Sequence, residues 1–316
     1  MVRINPVNSI ASVLAAAALL AAGSVAGQEP TDAERCASIA NNPDLAIAHC
    51  TKAIESGRHS GADQARLFLY RGVERAAKSD YDRAISDYDA AIRLDPKTPN
   101  AFHNRGSAWA NKGEPDRAIA DYDTAIRLSP KEASAYSGRA VEWMVKGEYA
   151  RAAADFDTAI RLDPKSANAF LGRGRVRFYS GDFQRAASDL DQAHKLEPNP
   201  YTALWTFLAR KRGGADAEEV LDRETRSSRG AWPATVIVLY LGRTDPASVI
   251  AASTHSDPKT QRHQRCEANF YVAQWHLLRG ERERARPLLK EVQDTCPRNF
   301  MEYEGALAEL RRLQLR

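Results

Sequence analysis

The stretch Tyr81-Asp-Arg-Ala-Ile-Ser-Asp-Tyr-Asp-Ala-Ala-Ile-Arg-Leu-Asp-Pro96 reads as an amphipathic helix stopped by a proline, and it recurs three times. The copies are Glu114–Pro130, Glu148–Pro164 and Asp182–Pro198. Their closing prolines, Pro96, Pro130, Pro164 and Pro198, fall 34 residues apart. So do Ala84, Ala118, Ala152 and Ala186, and the bulky set Tyr88, Tyr122, Phe156 and Leu190. Upstream, Gly72, Gly106, Ala140 and Gly174 keep the same interval. Each spacing has a physical reason. Small residues let two antiparallel helices approach closely. The bulky residue four positions after each alanine lies on the same helical face and fills the gap to the neighbouring hairpin. Proline stops the second helix, because it lacks an N–H and restricts the residue before it.

This pattern resembles the tetratricopeptide repeat. The resemblance implies an all-α fold, a right-handed superhelical solenoid of antiparallel helix hairpins. One hairpin cannot cover its own apolar stripe, so stacking is obligatory. The interval persists weakly at both ends. Asp44–Ile54 reads as the second helix of an earlier hairpin, set off by the loop Gly57–Ala62. Tyr201–Arg212 and Asp216–Arg226 read as another pair, and Trp232–Gly242 and Pro246–Ala252 as two short helices. Gly280 to Pro297 closes a last hairpin through Ala285 and Leu289, and Glu302–Leu315 is an amphipathic helix suited to capping the stack. The expected organisation is a signal peptide over 1–27, a degenerate hairpin over 31–57, four repeats over 65–198 and a C-terminal helical region over 199–316.

Composition narrows the partners. The 45 basic residues are interleaved with 41 acidic ones, for a net charge of +4, which argues against a nucleic-acid binder. The first thirty residues predict export: Arg3 precedes the apolar run Ile10–Ala22, and small residues at Ser24, Ala26 and Gly27 offer a cleavage site. Beyond that run, no apolar stretch approaches the roughly 20 residues of a membrane span. The first cysteine, Cys36, lies too far downstream to accept a lipid, so lipidation is not expected. An exported chain with four cysteines suggests disulfides, with three possible connectivities. Cys36 and Cys50 are equidistant from Pro43, and Cys266 and Cys296 are equidistant from Glu281. Antiparallel helices bring residues equidistant from a turn together, which predicts Cys36–Cys50 and Cys266–Cys296.

No catalytic signature appears: neither a zincin HExxH, a phosphate-binding loop, a nucleophile elbow nor a dinucleotide fingerprint. His255, His263 and Cys266 are close in sequence, but a disulfide is the better use of Cys266. Asp87/Asp89, Asp121/Asp123, Asp155/Asp157 and Asp189/Asp191 recur with the repeat, as do Arg71, Arg105, Arg139 and Arg173. Catalysis needs one constellation and not four copies, so these predict Arg–Asp bridges that lock the hairpins. We expect no catalytic residue, no metal and no cofactor.

In repeats of this kind the first helices line the concave groove, and a functional groove departs from the repeat's symmetry to match an asymmetric ligand. The variable first-helix positions are His103, Asn104, Ser107 and Asn111; Ser137, Val141 and Met144; and Asn168, Arg175, Phe178 and Tyr179. Amides and Arg175 suit a peptide backbone or carboxylate, and Phe178 and Tyr179 would serve as apolar anchors. The Arg-rich C-terminal third, with Arg210-Lys211-Arg212, Arg262, Arg265, Arg279, Arg282, Arg284, Arg286, Arg311 and Arg312, suggests acidic partners or ordinary helix pairs.

The C-terminal portion carries a second resemblance. Pro200-Tyr-Thr-Ala-Leu-Trp205, Trp232 with Val238-Leu-Tyr-Leu-Gly242, Asn269-Phe-Tyr271, Leu278 with Gly280, and Asn299-Phe-Met-Glu302 followed by Ala306 and Glu309-Leu310 occur in that order. Over about 199–312 this is similar to the NlpI family of bacterial tetratricopeptide proteins. The resemblance implies a periplasmic adaptor that dimerises, gathers peptidoglycan hydrolases and presents an endopeptidase to a tail-specific protease. Unlike the founding members, this chain lacks a lipid-accepting cysteine, and it carries an extra repeat and two cysteine pairs. The expectation is a periplasmic protein–protein scaffold of cell-envelope enzymes. The alternative is a periplasmic chaperone or assembly factor holding exported clients.

Overall fold

The structure is a computed structural model that describes residues 30–39, 41–226, 230, 232–298 and 300–314. The expected signal segment, with Arg3, Ile10–Ala22 and the small residues to Gly27, lies outside the described residues, as does Asn299. Among the described residues there are seventeen helices and no strand. They begin with α1 (Asp32–Ser38), α2 (Pro43–Glu55), α3 (Gly61–Ala77), α4 (Tyr81–Leu94), α5 (Pro99–Asn111), α6 (Pro115–Leu128) and α7 (Ala133–Val145). Next come α8 (Tyr149–Leu162), α9 (Ala167–Ser180), α10 (Phe183–Leu196), α11 (Pro200–Arg212), α12 (Glu218–Glu224), α13 (Ala234–Tyr240) and α14 (Pro246–Ala252). The chain ends with α15 (Pro258–Leu278), α16 (Arg282–Thr295) and α17 (Met301–Gln314). Two compact units divide them, one whose described residues run to Glu142 and one beginning at Trp143.

Local chemistry sets the helix ends. Asp80 and Asp182 accept hydrogen bonds from the Arg83 and Arg185 amides, capping α4 and α10. Pro99, Pro115 and Pro200 stand in the first turns of their helices, where the missing N–H costs nothing. The turn between the two helices of each repeat needs a left-handed residue: Gly113, Gly147 and Gly181 supply it at φ 77°, 80° and 85°. Ser79 holds the same place in the first repeat at φ 64°, against the preference of an L side chain.

The periodic residues of the sequence form the core. Ala84, Ala118, Ala152 and Ala186 are fully buried, and Tyr88, Tyr122, Phe156 and Leu190 pack beside them. Burying one such side chain contributes about 2 kcal/mol. The approach is tight enough to require glycine: a Cβ on Gly72 would meet the Tyr88 ring at 2.6 Å. In the C-terminal unit the core centres on Trp205, with Phe178, Leu204, Leu208, Phe270 and Tyr271 fully buried around it.

Disulfides join Cys36 to Cys50 and Cys266 to Cys296. The first ties α1 to α2; the second ties the middle of α15 to the residue that ends α16. Cys266 is therefore unavailable to the metal grouping with His255 and His263, and no cluster of metal-ligating residues occurs among the described residues. None of the described helices is long and apolar enough to cross a membrane.

Candidate functional site: the faces of the first helices

The first helix of each repeat is α3, α5, α7 or α9. In the N-terminal unit their polar positions are graded in exposure. Asn104, Asn111 and Ser137 are half-buried, and Ser107 is buried. The Asn111 amide donates to the Ser107 carbonyl at 2.8 Å and accepts from the Tyr81 hydroxyl at 3.3 Å, which fixes its orientation. His103 is buried against Tyr122, ring centroids 5.5 Å apart, and neither ring nitrogen has a hydrogen-bond partner. Burial lowers its pKa to about 4, partly opposed by the negative charge of Glu132. His103 is therefore a neutral packing residue near pH 7.

The recurring Arg–Asp set does more than lock single hairpins. Arg71, Arg105 and Arg173 each pair with the acid sixteen residues on, Asp87, Asp121 and Asp189, inside one hairpin. Arg105, Arg139 and Arg173 also reach back to Asp89, Asp123 and Asp157 in the preceding hairpin. A guanidinium has five N–H donors in a flat fork, so one arginine can hold two carboxylates on different helices. The same arginines lie over Phe68, Phe102, Tyr136 and Phe170, three residues before them. This ladder consumes the recurring acids structurally.

The C-terminal unit corrects the sequence expectation for three residues. Arg175 and Phe178 are fully buried and Tyr179 nearly so, because α17 lies across the face of α9. Phe178 and Tyr179 instead pack on Trp205, centroids 5.4 and 5.9 Å away. They cannot serve as exposed anchors while α17 is seated. Met144 is also buried, whereas Asn168 is exposed. Arg175 donates to Glu304, the Tyr179 hydroxyl to the Met301 carbonyl, and Arg312 Nη2 to the Phe178 and Tyr179 carbonyls at 2.6 and 2.7 Å. From α11, Arg212 donates to Glu309 at 2.8 Å. Gly305 permits the close seating, since a Cβ there would stand 2.6 Å from the Phe270 ring.

Sequence reasoning missed the acids that α17 carries inward. Glu302, Glu304 and Glu309 are all buried. Tyr271 donates to Glu302 at 3.2 Å, while Tyr201 and Trp232 donate to Glu267, also buried. Burial pushes Glu302 up to about 8, and the nearby Glu267 adds to it; Glu267 and Glu304 are raised as well. The one available signal was negative: acids at 302, 304 and 309 do not share a single solvent face of a helix. Much of the Arg-rich C-terminal third is spent internally. Arg210 pairs with Asp191, Lys211 with Glu218, Arg265 with Glu291 and Arg284 with Glu281, so ordinary helix pairing accounts for these residues.

The comparisons agree with this architecture. A family model for the tetratricopeptide repeat matches residues 39–99, 69–133 and 138–201, about half of the chain. A tetratricopeptide-repeat protein from Parabacteroides merdae superposes with a TM-score of 0.53 at 15% identity, covering 85% of this chain and 92% of that one. The C-terminal part of a repeat-containing protein from Cytophaga hutchinsonii gives 0.47 at 20% identity, over 84% of this chain and 95% of that one. YrrB, described as a repeat protein with an unusual peptide-binding site, gives 0.43 at 22%, over 52% and 82%. Proteins of this fold are typically scaffolds that bind other proteins. With its 34-residue interval, its stacked hairpins and the matching family model, the chain belongs to the tetratricopeptide-repeat family.

Proposed function

We propose that this protein is an exported scaffold that holds other proteins at the cell envelope, and that cell-wall hydrolases and a tail-specific protease are among them. The observation that carries the binding role is the half-buried amide and hydroxyl set on the N-terminal first helices, Asn104, Asn111 and Ser137. These groups break the repeat's symmetry and take no part in the Arg–Asp ladder, and Asn111, held by Ser107 and Tyr81, keeps one amide donor and one acceptor lone pair to spare. Oriented amides suit the main chain of an extended partner segment, because each supplies both a donor and an acceptor. Export is supported by the apolar segment before Ala26 and by two disulfides, which persist in oxidising compartments. The similarity of residues 199–312 to the NlpI family motivates the choice of envelope enzymes.

Two measurements test this. N-terminal sequencing of the mature protein is expected to find cleavage near Ala26; an uncleaved cytoplasmic chain would remove the envelope assignment. A photo-crosslinking side chain at Asn104 or Ser137 in the full chain is expected to capture a few envelope proteins in stoichiometric amount, with none captured from exposed Asp116. A broad set of unfolded clients would favour the chaperone reading, and equal capture from all three positions would sink both.

A further inference from the structure

We propose that the face of α9, α11 and α15 is a docking site for an acidic helix of a partner protein, and that α17 occupies it as an internal stand-in. This rests on the scaffold reading above. Arg175 is fully buried, yet only its Nη2 has a carboxylate partner, Glu304; its Nε and Nη1 have no hydrogen-bond partner. Arg212 donates from Nη2 to Glu309 and Gln274, and its Nε is likewise unpartnered. Guanidinium groups bind carboxylates best through two parallel N–H donors, and buried unpaired donors are costly. Both receptor arginines therefore hold their acids by one edge. Beside Arg175, whose guanidinium lies over the Trp205 ring, the Trp205 indole N–H is buried without a partner. The receptor is built for more polar contact than α17 provides.

The chemistry of the occupant follows from the seat. It is a helix with carboxylates five residues apart, as in Glu304 and Glu309, for Arg175 and Arg212. It has a small residue directly after the first acid, because Gly305 faces the Phe270 ring. Its first turn carries a further acid, as Glu302 does against Tyr271, and its other inward positions are small or aliphatic, as are Ala306, Ala308 and Leu310. A partner helix that meets both guanidinium groups through two donors each would compete with α17 by supplying the bonds that α17 leaves unmade.

The test uses the full chain and a labelled synthetic peptide of residues 300–314 as the probe. The double variant Glu304→Gln, Glu309→Gln weakens the chain's own occupant, and it is expected to bind the wild-type peptide at least tenfold tighter than the wild-type chain does. Adding Arg175→Gln to that variant is expected to abolish the gain, and a peptide carrying Gly305→Ala should not bind. Equal affinity of wild type and double variant, or indifference to Arg175→Gln, overturns the proposal. If the double variant fails to fold, hydrogen exchange on the wild-type chain replaces it. Excess peptide should then unprotect the chain's own 301–314, and a peptide with both glutamates replaced should not; no change overturns the proposal. Sedimentation showing chains that exchange α17 with each other would also overturn it, in favour of a second copy as occupant. Neither arm depends on capture at Asn104 or Ser137, so failure of the scaffold reading is seen separately.

Discussion

Ser79 and Arg105 show how much of this fold is decided by single side chains. At 79, 113, 147 and 181 the backbone must turn through the left-handed region, and three of the four positions are glycine. A residue with a Cβ loses about 1–2 kcal/mol in that conformation. Ser79→Gly is therefore expected to raise the unfolding free energy of the N-terminal unit by about 0.5–1 kcal/mol, after the entropy cost of glycine in the unfolded chain is deducted. Denaturant unfolding checks it, and a loss of stability would show that the Ser79 side chain makes up for its backbone. Arg105 carries the opposite lesson. It bridges buried Asp121 in its own hairpin and half-exposed Asp89 in the one before. Arg105→Ala strands a buried carboxylate and is expected to cost about 3 kcal/mol. Arg66→Ala, which removes only the exposed pair with Asp63, should cost under about 1 kcal/mol. A double-mutant cycle should find stronger coupling of Arg105 to Asp121 than to Asp89, because solvent screens the second pair.

At the scale of elements, terminal hairpins are where a stack is weakest, since they have a neighbour on one side only. The Cys36–Cys50 link closes a loop with a sequence separation of 14 across α1 and α2. In the entropic account a loop of that size is worth about 3 kcal/mol. Replacing both cysteines with serine should therefore raise hydrogen exchange in α1 and α2 while leaving α5 and α6 protected. Uniform loss of protection across the N-terminal unit would contradict a local role. The repeat helices were legible in the sequence because their constraint is periodic: Ala118 and Tyr122 do in one hairpin what Ala152 and Phe156 do in the next. The short helices α12 and α13 begin two residues later and end two residues earlier than their composition suggested, since no repeated neighbour fixes their ends. The seat of α17 was illegible for a different reason. Arg175 and Glu304 are 129 residues apart, and a charged residue at a variable first-helix position reads as groove surface until its partner is known. Asn104 and Ser137 have no such long-range partner and are half-buried.

For the whole molecule, the two units bury titratable groups of opposite kind, and this sets opposite dependences on pH. In the N-terminal unit His103 faces Tyr122 and Glu132, and burial holds its pKa at about 4 against 6.5 for an exposed histidine. As pH falls through 6.5 the unfolded chain takes up a proton that the folded one refuses. Stability is then lost at about 1.4 kcal/mol per pH unit, or about 2 kcal/mol by pH 5. In the C-terminal unit Glu302 faces Glu267, Tyr271 and Arg175, and the folded state keeps its proton up to about 8, against 4.5 for an exposed glutamate. There the unfolded chain gives up its proton first, so stability falls as pH rises from 4.5 through 8. Hydrogen exchange at pH 5 and pH 7.5, corrected for intrinsic rates, should find the N-terminal unit better protected at the higher value and the C-terminal unit at the lower. His103→Phe should flatten the first response and Glu302→Gln should reduce the second, where Glu267 and Glu304 are raised as well, each without altering the other. Parallel responses in both units would contradict the account, as would an unchanged slope in either variant. The acid side of this dependence also bears on α17, because Glu302 stands in its first turn. Alkaline pH charges the buried carboxylate and weakens the seat, so exchange of residues 301–314 should rise with pH before that of α15.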